Sequence, residues 1–85
     1  PLKILSIRPN PAQEEIVVDY RSSIVDDQIH LAMVAIYDAM GKEVYSAVSH
    51  LSSGMSTIKL DTKHLSSGVY LLRIGNMQEN FVIIK

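Results

Sequence analysis

The side chains that could do chemistry in this 85-residue chain are three histidines, ten serines and nine carboxylates, with no cysteine among them. His30, His50 and His64 could in principle join a serine and an acid in a nucleophilic triad, with imidazole as the base that takes the hydroxyl proton. No Gly-x-Ser-x-Gly elbow is present to hold such a serine on a strained turn. The histidines therefore read as surface or turn residues. A zinc site would need the same three to converge, yet there is no His-x-His or His-x-x-x-His pair, and each sits near the end of a different expected strand. Asp26-Asp27 could offer oxygens to calcium, but the Asp-x-Asp-x-Asp spacing is missing, so the pair reads as part of a solvated loop. Apart from the neighbours Glu14-Glu15, the other acids are dispersed, and they do not suggest the paired carboxylates of a glycosidase. No catalytic, cofactor or metal site is expected.

Tyrosines at 20, 37, 45 and 70 are the other candidates, because an aromatic platform can hold a sugar. Tyr70, directly after Gly68-Val69, reads better as a core tyrosine whose hydroxyl bonds back to a corner loop, as in many β-sandwiches. Tyr37 and Tyr45 flank Gly41 at nearly mirror positions, which suggests a cross-strand pair.

The elements that must position these residues follow from composition and periodicity. The chain is 47% hydrophobic with a net charge of -1, so apolar burial must hold the fold without disulfides. At this size the margin is small, on the order of 5 kcal/mol. Eight basic against nine acidic residues leave no cationic excess to track phosphates, which argues against a nucleic-acid partner. The longest apolar run, Leu31 to Tyr37, is far below the roughly 18 to 20 residues of a membrane span. The start Pro1-Leu2-Lys3 has no secretory signal and no initiator Met, and suggests a piece of a longer chain.

Alternation with a period of two dominates. Ile16, Val18 and Tyr20 share one face, as do Val44, Ser46 and Val48, then Ile58 and Leu60, then Tyr70, Leu72 and Ile74. Leu2 to Arg8 makes a first strand, with Leu2, Ile4 and Ser6 on one face. Leu31 to Tyr37 and Phe81 to Ile84 are continuous apolar runs, as in strands buried on both sides or central in a sheet. Asp38-Ala39-Met40-Gly41-Lys42 fits a type I turn followed by glycine at positive φ. Gly54 and Gly68 each precede a strand, Gly75-Asn76-Met77 separates the last two, and Ser22 to Gln28 reads as a longer loop. The tetrad Leu-Ser-Ser-Gly at 51–54 and 65–68 reads as two similar glycine turns. Asn10-Pro11-Ala12-Gln13 resembles a helix start, but the β-branched alternation after it makes a turn into a strand the better reading. About seven short strands result, the pattern of an all-β, immunoglobulin-like antiparallel β-sandwich. Gly68→Val is expected to be costly if that position needs positive φ or a close approach.

These motifs stand in a recognisable order. Pro9-Asn10-Pro11-Ala12 leads into the strand through Ile16 and Val18, and Val34 to Val44 spans the Gly41 turn. Leu51 to Gly54, Ile58 to Leu60 and Leu65 to Gly68 follow, running into Val69-Tyr70-Leu71-Leu72-Arg73-Ile74, with Phe81-Val82-Ile83-Ile84-Lys85 at the end. From about Ile7 to Lys85 the chain resembles the type A C-terminal sorting domain of the bacterial type IX secretion system, the Por system.

That resemblance implies a seven-stranded immunoglobulin-like sandwich forming the tail of a larger exported protein in Bacteroidota, with residues 1–85 as one sorting domain. It implies a non-catalytic address: cargo enters the periplasm on a separate signal, and the tail directs it through the outer-membrane translocon. A sortase then removes the tail, and the cargo is attached to the surface or released. Translocon, shuttle and sortase proteins and an upstream cargo domain would be the partners, with no nucleic acid and no stable membrane insertion. By position, recognition would fall on Pro9, Asn10 and Pro11, on Tyr37, Asp38, Gly41 and Lys42, on Gly68 and Tyr70, and on Val82, Ile83, Ile84 and Lys85. Two features depart from the family pattern: Glu79-Asn80 stands where basic residues are frequent, and Arg8 where an aromatic or small residue commonly precedes Pro-Asn-Pro. A last strand ending in a free carboxylate also suits capture by edge pairing or end recognition on physical grounds. The alternative is an accessory immunoglobulin-like adhesion or carbohydrate-binding module built on the tyrosines.

Overall fold

A computed structural model describes residues 2–22 and 30–85, with His30 as backbone alone. The Asp26-Asp27 pair and most of the expected 22–28 loop lie outside the described residues. Among them are seven strands: β1 (Leu2–Arg8), β2 (Glu15–Ser22), β3 (His30–Tyr37), β4 (Glu43–Leu51), β5 (Gly54–Asp61), β6 (Gly68–Ile74) and β7 (Met77–Ile83). They form two sheets, in the orders β1-β2-β5 and β4-β3-β6-β7. Every ladder between these strands is antiparallel. This is the expected immunoglobulin-like sandwich, with the fourth strand placed on the sheet of the third, sixth and seventh.

The core lies between the sheets and is built by the alternation read above. Ile16, Val18 and Tyr20 of β2 face Val34 and Ile36 of β3 and Tyr70, Leu72 and Ile74 of β6, all buried. A backbone period of two can hide one face of a strand only if the register holds. In β1 it does not: a bulge between Ile4 and Ser6 breaks the pairing with β2. The extra residue turns Ile7 inward beside Ile4 and sends Ser6 outward, against the expectation that Ser6 shares the face of Leu2 and Ile4. In β4 the inward face carries Tyr45, Ala47, Ser49 and Leu51, while Val48 is 60% exposed. The expected Val44, Ser46 and Val48 face thus points mostly to solvent, because the ladder also slips between Ile36 and Tyr37 where β3 meets the start of β4.

The two apolar runs have different fates. β3 is interior to its sheet, paired on both edges, yet Leu31 and Met33 are more than half exposed on its outer face. β7 is the last strand of its ladder rather than a central one, although Phe81 and Ile83 are buried.

Outside the β1-β2-β5 sheet, Asp19 ties the three strands together. Its carboxylate accepts from Ser6 Oγ at 2.7 Å, from Arg8 Nε at 2.7 Å and from Thr57 Oγ1 at 3.4 Å. The Arg8 hydrogen bond, and next the Ser6 hydroxyl, hold the carboxyl down to about 2 from its ordinary 3.8. Because the folded value lies below the unfolded one, the network stabilises the fold above about pH 4, and that contribution fades as pH falls through about 2. Asp19→Asn is expected to melt earlier than the parent near neutral pH, with the gap closing by about pH 2. Thermal unfolding across that range checks this, and a gap that stays constant down to the lowest pH would contradict it.

Candidate functional site

The Asp38–Lys42 turn forms as its residues dictate. The Gly41 N–H donates to the Asp38 carbonyl at 3.0 Å, and the Asp38 N–H closes the loop on the Lys42 carbonyl at 2.9 Å. Asp38 Oδ1 accepts from the N–H groups of Met40 and Lys42, each at 2.9 Å, which satisfies amides that the hairpin cannot pair. Gly41 has φ +84°, a conformation that would strain any residue carrying Cβ. The irregularity this turn introduces also separates the tyrosines. Tyr37 stands opposite Glu43 and Tyr45 opposite Ile36, so the two are not a cross-strand pair. Tyr45 packs against the core, while Tyr37 faces outward beside Met33, Ala35 and Arg73.

Tyr70 is the corner tyrosine that its context suggests. The ring is buried, and the hydroxyl donates to the Ser66 carbonyl at 2.7 Å. It also stacks on Phe81, with ring centroids 5.8 Å apart and 25° between planes. Gly68 is a correction. Its φ is not positive, and an added Cβ would meet Tyr70 Cε2 at 3.7 Å, an ordinary contact. The premise for a costly Gly68→Val therefore fails: neither a left-handed backbone nor a close approach requires glycine there.

The Pro9–Ala12 segment does not form a helix; it lies along the end of β7. The Ala12 N–H donates to the Val82 carbonyl at 2.7 Å, and the Ile84 N–H to the Ala12 carbonyl at 2.9 Å. Asn10 Oδ1 accepts from the Val82 N–H at 3.1 Å. The terminal residue is held as well. Lys85 Nζ donates to the carbonyls of Thr62 at 3.0 Å and Lys63 at 2.7 Å, and its N–H donates to Ser67 Oγ at 2.8 Å. Thr62 is fully buried and in turn donates its N–H to the Glu14 carbonyl at 2.8 Å.

All these pieces lie at one end of the sandwich. Antiparallel pairing places the end of β1, the starts of β2, β4 and β6, and the ends of β3, β5 and β7 together. A shallow cleft of about 320 Å³ joins the Asp38–Met40 turn to Leu65, Gly68 and Tyr70. The four motif segments thus converge on this pole, except that Tyr37 turns to the outer sheet face. The opposite pole holds Leu2 and the Gly75–Asn76 turn, where the Ser52 N–H donates to Tyr20 Oη at 3.1 Å. The long axis of the molecule extends 40 Å, which keeps the two poles apart.

Among the described residues, no other candidate chemistry assembles. His50 and His64 are exposed, and among the described residues no three histidine, aspartate or glutamate side chains gather as metal ligands. Tyr20 and Tyr70 are buried, and Tyr37 and Tyr45 face opposite ways, so no tyrosine platform forms. The sequence reading missed Ala12, Thr62 and Ser67, which hold the last strand. Small residues in turns carry no periodic signal, and only the short Asn-Pro-Ala string hinted at the first.

Among the described residues, no helix is long and apolar enough to cross a membrane. No curated protein sequence matches the chain. The profile of the secretion system C-terminal sorting domain matches residues 6–85, which covers all the strands after the first residues of β1 and the whole of the motif pole. The chain therefore belongs to the family of type IX secretion system C-terminal sorting domains.

Proposed function

We propose that the motif pole is the surface through which this sorting domain is read by the type IX secretion machinery. A sorting signal of this family works by being recognised, which points to a non-enzymatic role in a secreted protein. One observation carries the reading. Pro9 to Pro11, Asp38 to Lys42, Gly68 with Tyr70, and Val82 to Lys85 are separate in sequence and meet at one pole, while Leu2 lies at the other. A cargo domain joined ahead of residue 1 would leave from the far pole and leave the recognition pole uncovered. In this role residues 1–85 are the C-terminal tail of a larger exported protein of Bacteroidota. The translocon and its shuttle bind the pole, and a sortase cuts ahead of the domain to attach or release the cargo.

The test is a reporter carrying a periplasmic signal, fused ahead of residues 1–85 in a type IX-competent bacterium. Surface or extracellular reporter that depends on the domain and on a working translocon is the expected result. A reporter that stays in the periplasm would overturn the proposal.

A further inference from the structure

The link from β5 to β6, residues 62–67, crosses from one sheet to the other, so no ladder fixes its path. Its backbone groups must find partners elsewhere. Thr62 and Leu65 are buried, and the Tyr70 hydroxyl holds the Ser66 carbonyl at 2.7 Å. Between these anchors Lys63 and His64 form an exposed tip. Among the described residues the Lys63 carbonyl has one partner, the Lys85 ammonium at 2.7 Å. The same ammonium donates to the Thr62 carbonyl at 3.0 Å, and the Lys85 N–H donates to Ser67 Oγ at 2.8 Å.

A surface lysine ordinarily keeps its head in water on a flexible stem. Here two of its three donors are on neighbouring carbonyls of one loop. Among the described residues no carboxylate lies within ion-pairing distance of this ammonium, so its charge grips backbone rather than an acid. The gripped loop also shapes the motif pole. His64, Leu65, Ser66 and Ser67 line the 320 Å³ cleft together with the Asp38–Met40 turn. That turn is fixed by the oxygens of its own aspartate, whereas the loop across the cleft depends on Lys85, 22 residues further along the chain.

We propose that Lys85 is a positioning residue of the sorting signal: its ammonium latches the 62–67 loop in the form that lines the cleft, and the secretion machinery reads the latched loop rather than the lysine itself. The proposal rests on the reading of the motif pole as the surface that the machinery recognises.

Proteolysis of the 85-residue chain measures the latch directly. A lysine-specific protease must draw the scissile carbonyl into its oxyanion hole, so cutting after Lys63 requires the bond from Lys85 to open first. Lys85→Met keeps the length of the side chain and removes its donors. It is expected to be cut after Lys63 at least about tenfold faster than the parent, measured against cutting after Lys42 in the same chain. An unchanged rate after Lys63 would overturn the latch.

In the reporter fusion, two variants separate the latch from direct reading of the lysine. Lys85→Met is expected to leave the reporter in the periplasm. So is a chain with one glycine inserted between Lys63 and His64, which keeps Lys85 but displaces the loop at its exposed tip. Export of Lys85→Met at the parent level would overturn the proposal. Export of the insertion chain at the parent level would show that the lysine itself is read, and would equally sink it. Circular dichroism melting establishes that each variant folds. Should the insertion unfold the domain, Lys63→Gly, which loosens the same tip without lengthening it, takes its place. If the parent fusion itself is not exported, the recognition reading fails, and the proteolysis still decides about the latch.

Discussion

Tyr70→Ala should lose about 3 to 5 kcal/mol of stability, as expected for emptying a buried aromatic site. The ring is buried at the start of β6, stacks on Phe81, and anchors the corner loop through the bond to the Ser66 carbonyl. Stability on the order of 5 kcal/mol is all that a cysteine-free domain of this size is expected to have, so the variant should be largely unfolded. Tyr70→Phe separates the two contributions. It keeps the stack and removes only the hydroxyl, at a cost of roughly 0.5 to 1.5 kcal/mol. Urea unfolding of the parent and both variants measures this. A loss below about 1 kcal/mol for Tyr70→Ala would mean that the tyrosine does not hold the corner.

Removing Ile83, Ile84 and Lys85 should be comparably severe, and the physical reason is more distributed. Ile83 is fully buried and pairs with Gly68, so its loss alone is worth about 2 to 5 kcal/mol. The truncation also strips the Ile84 bond to Ala12 and every contact of Lys85 with Thr62, Lys63 and Ser67. The loop from Thr62 to Ser67 and the Pro9–Ala12 segment would both lose partners. Circular dichroism melting is expected to show little or no cooperative transition for the truncated chain. Lys85→Ala loses the two Nζ bonds but keeps Ile83, Ile84 and the backbone bond to Ser67, so it should melt far closer to the parent than the truncated chain does. A truncated chain that melts like the parent would show that the last strand is dispensable to the fold. The pair of variants matters for any export experiment: failure of the truncated tail reflects lost structure, whereas failure of a Lys85→Ala tail that melts cooperatively would report on recognition itself.

The edge of β7 also changes how an address at the end of a chain can be read. A last strand looked open to any pairing partner, but Asn10, Ala12 and the contacts of Lys85 already engage its terminal residues. Such an arrangement keeps the free domain from adding strands indiscriminately.

Much of the fold was legible in the order of residues because its signals are local. Alternating side chains such as Ile16, Val18 and Tyr20 name a buried face wherever the ladder is regular. Gly41 after Asp38 specifies a turn through its own dihedral and the aspartate's own oxygens. The corner role of Tyr70 followed from its place just after a glycine turn, and its hydroxyl reaches only four residues back. The family motifs, taken in order, identified the sorting domain before any contact was known.

What failed depended on partners distant in the chain. The bulge at Ile4–Ser6 and the slip at Ile36–Tyr37 are properties of pairs of strands, and each inverts a face that the single strand seemed to declare. Gly68 looked like a glycine required by its backbone, yet only the packed structure shows a φ outside the left-handed region and room for Cβ beside Tyr70. By itself the sequence determined the strands, the main turns and the family, since these follow from neighbours two to four residues apart. Only the tertiary structure decided that the motif segments share one pole and that residues 10–12 close over residues 82–84. That contact spans 72 positions in the chain between Asn10 and Val82, and no local pattern encodes a hydrogen bond over such a separation.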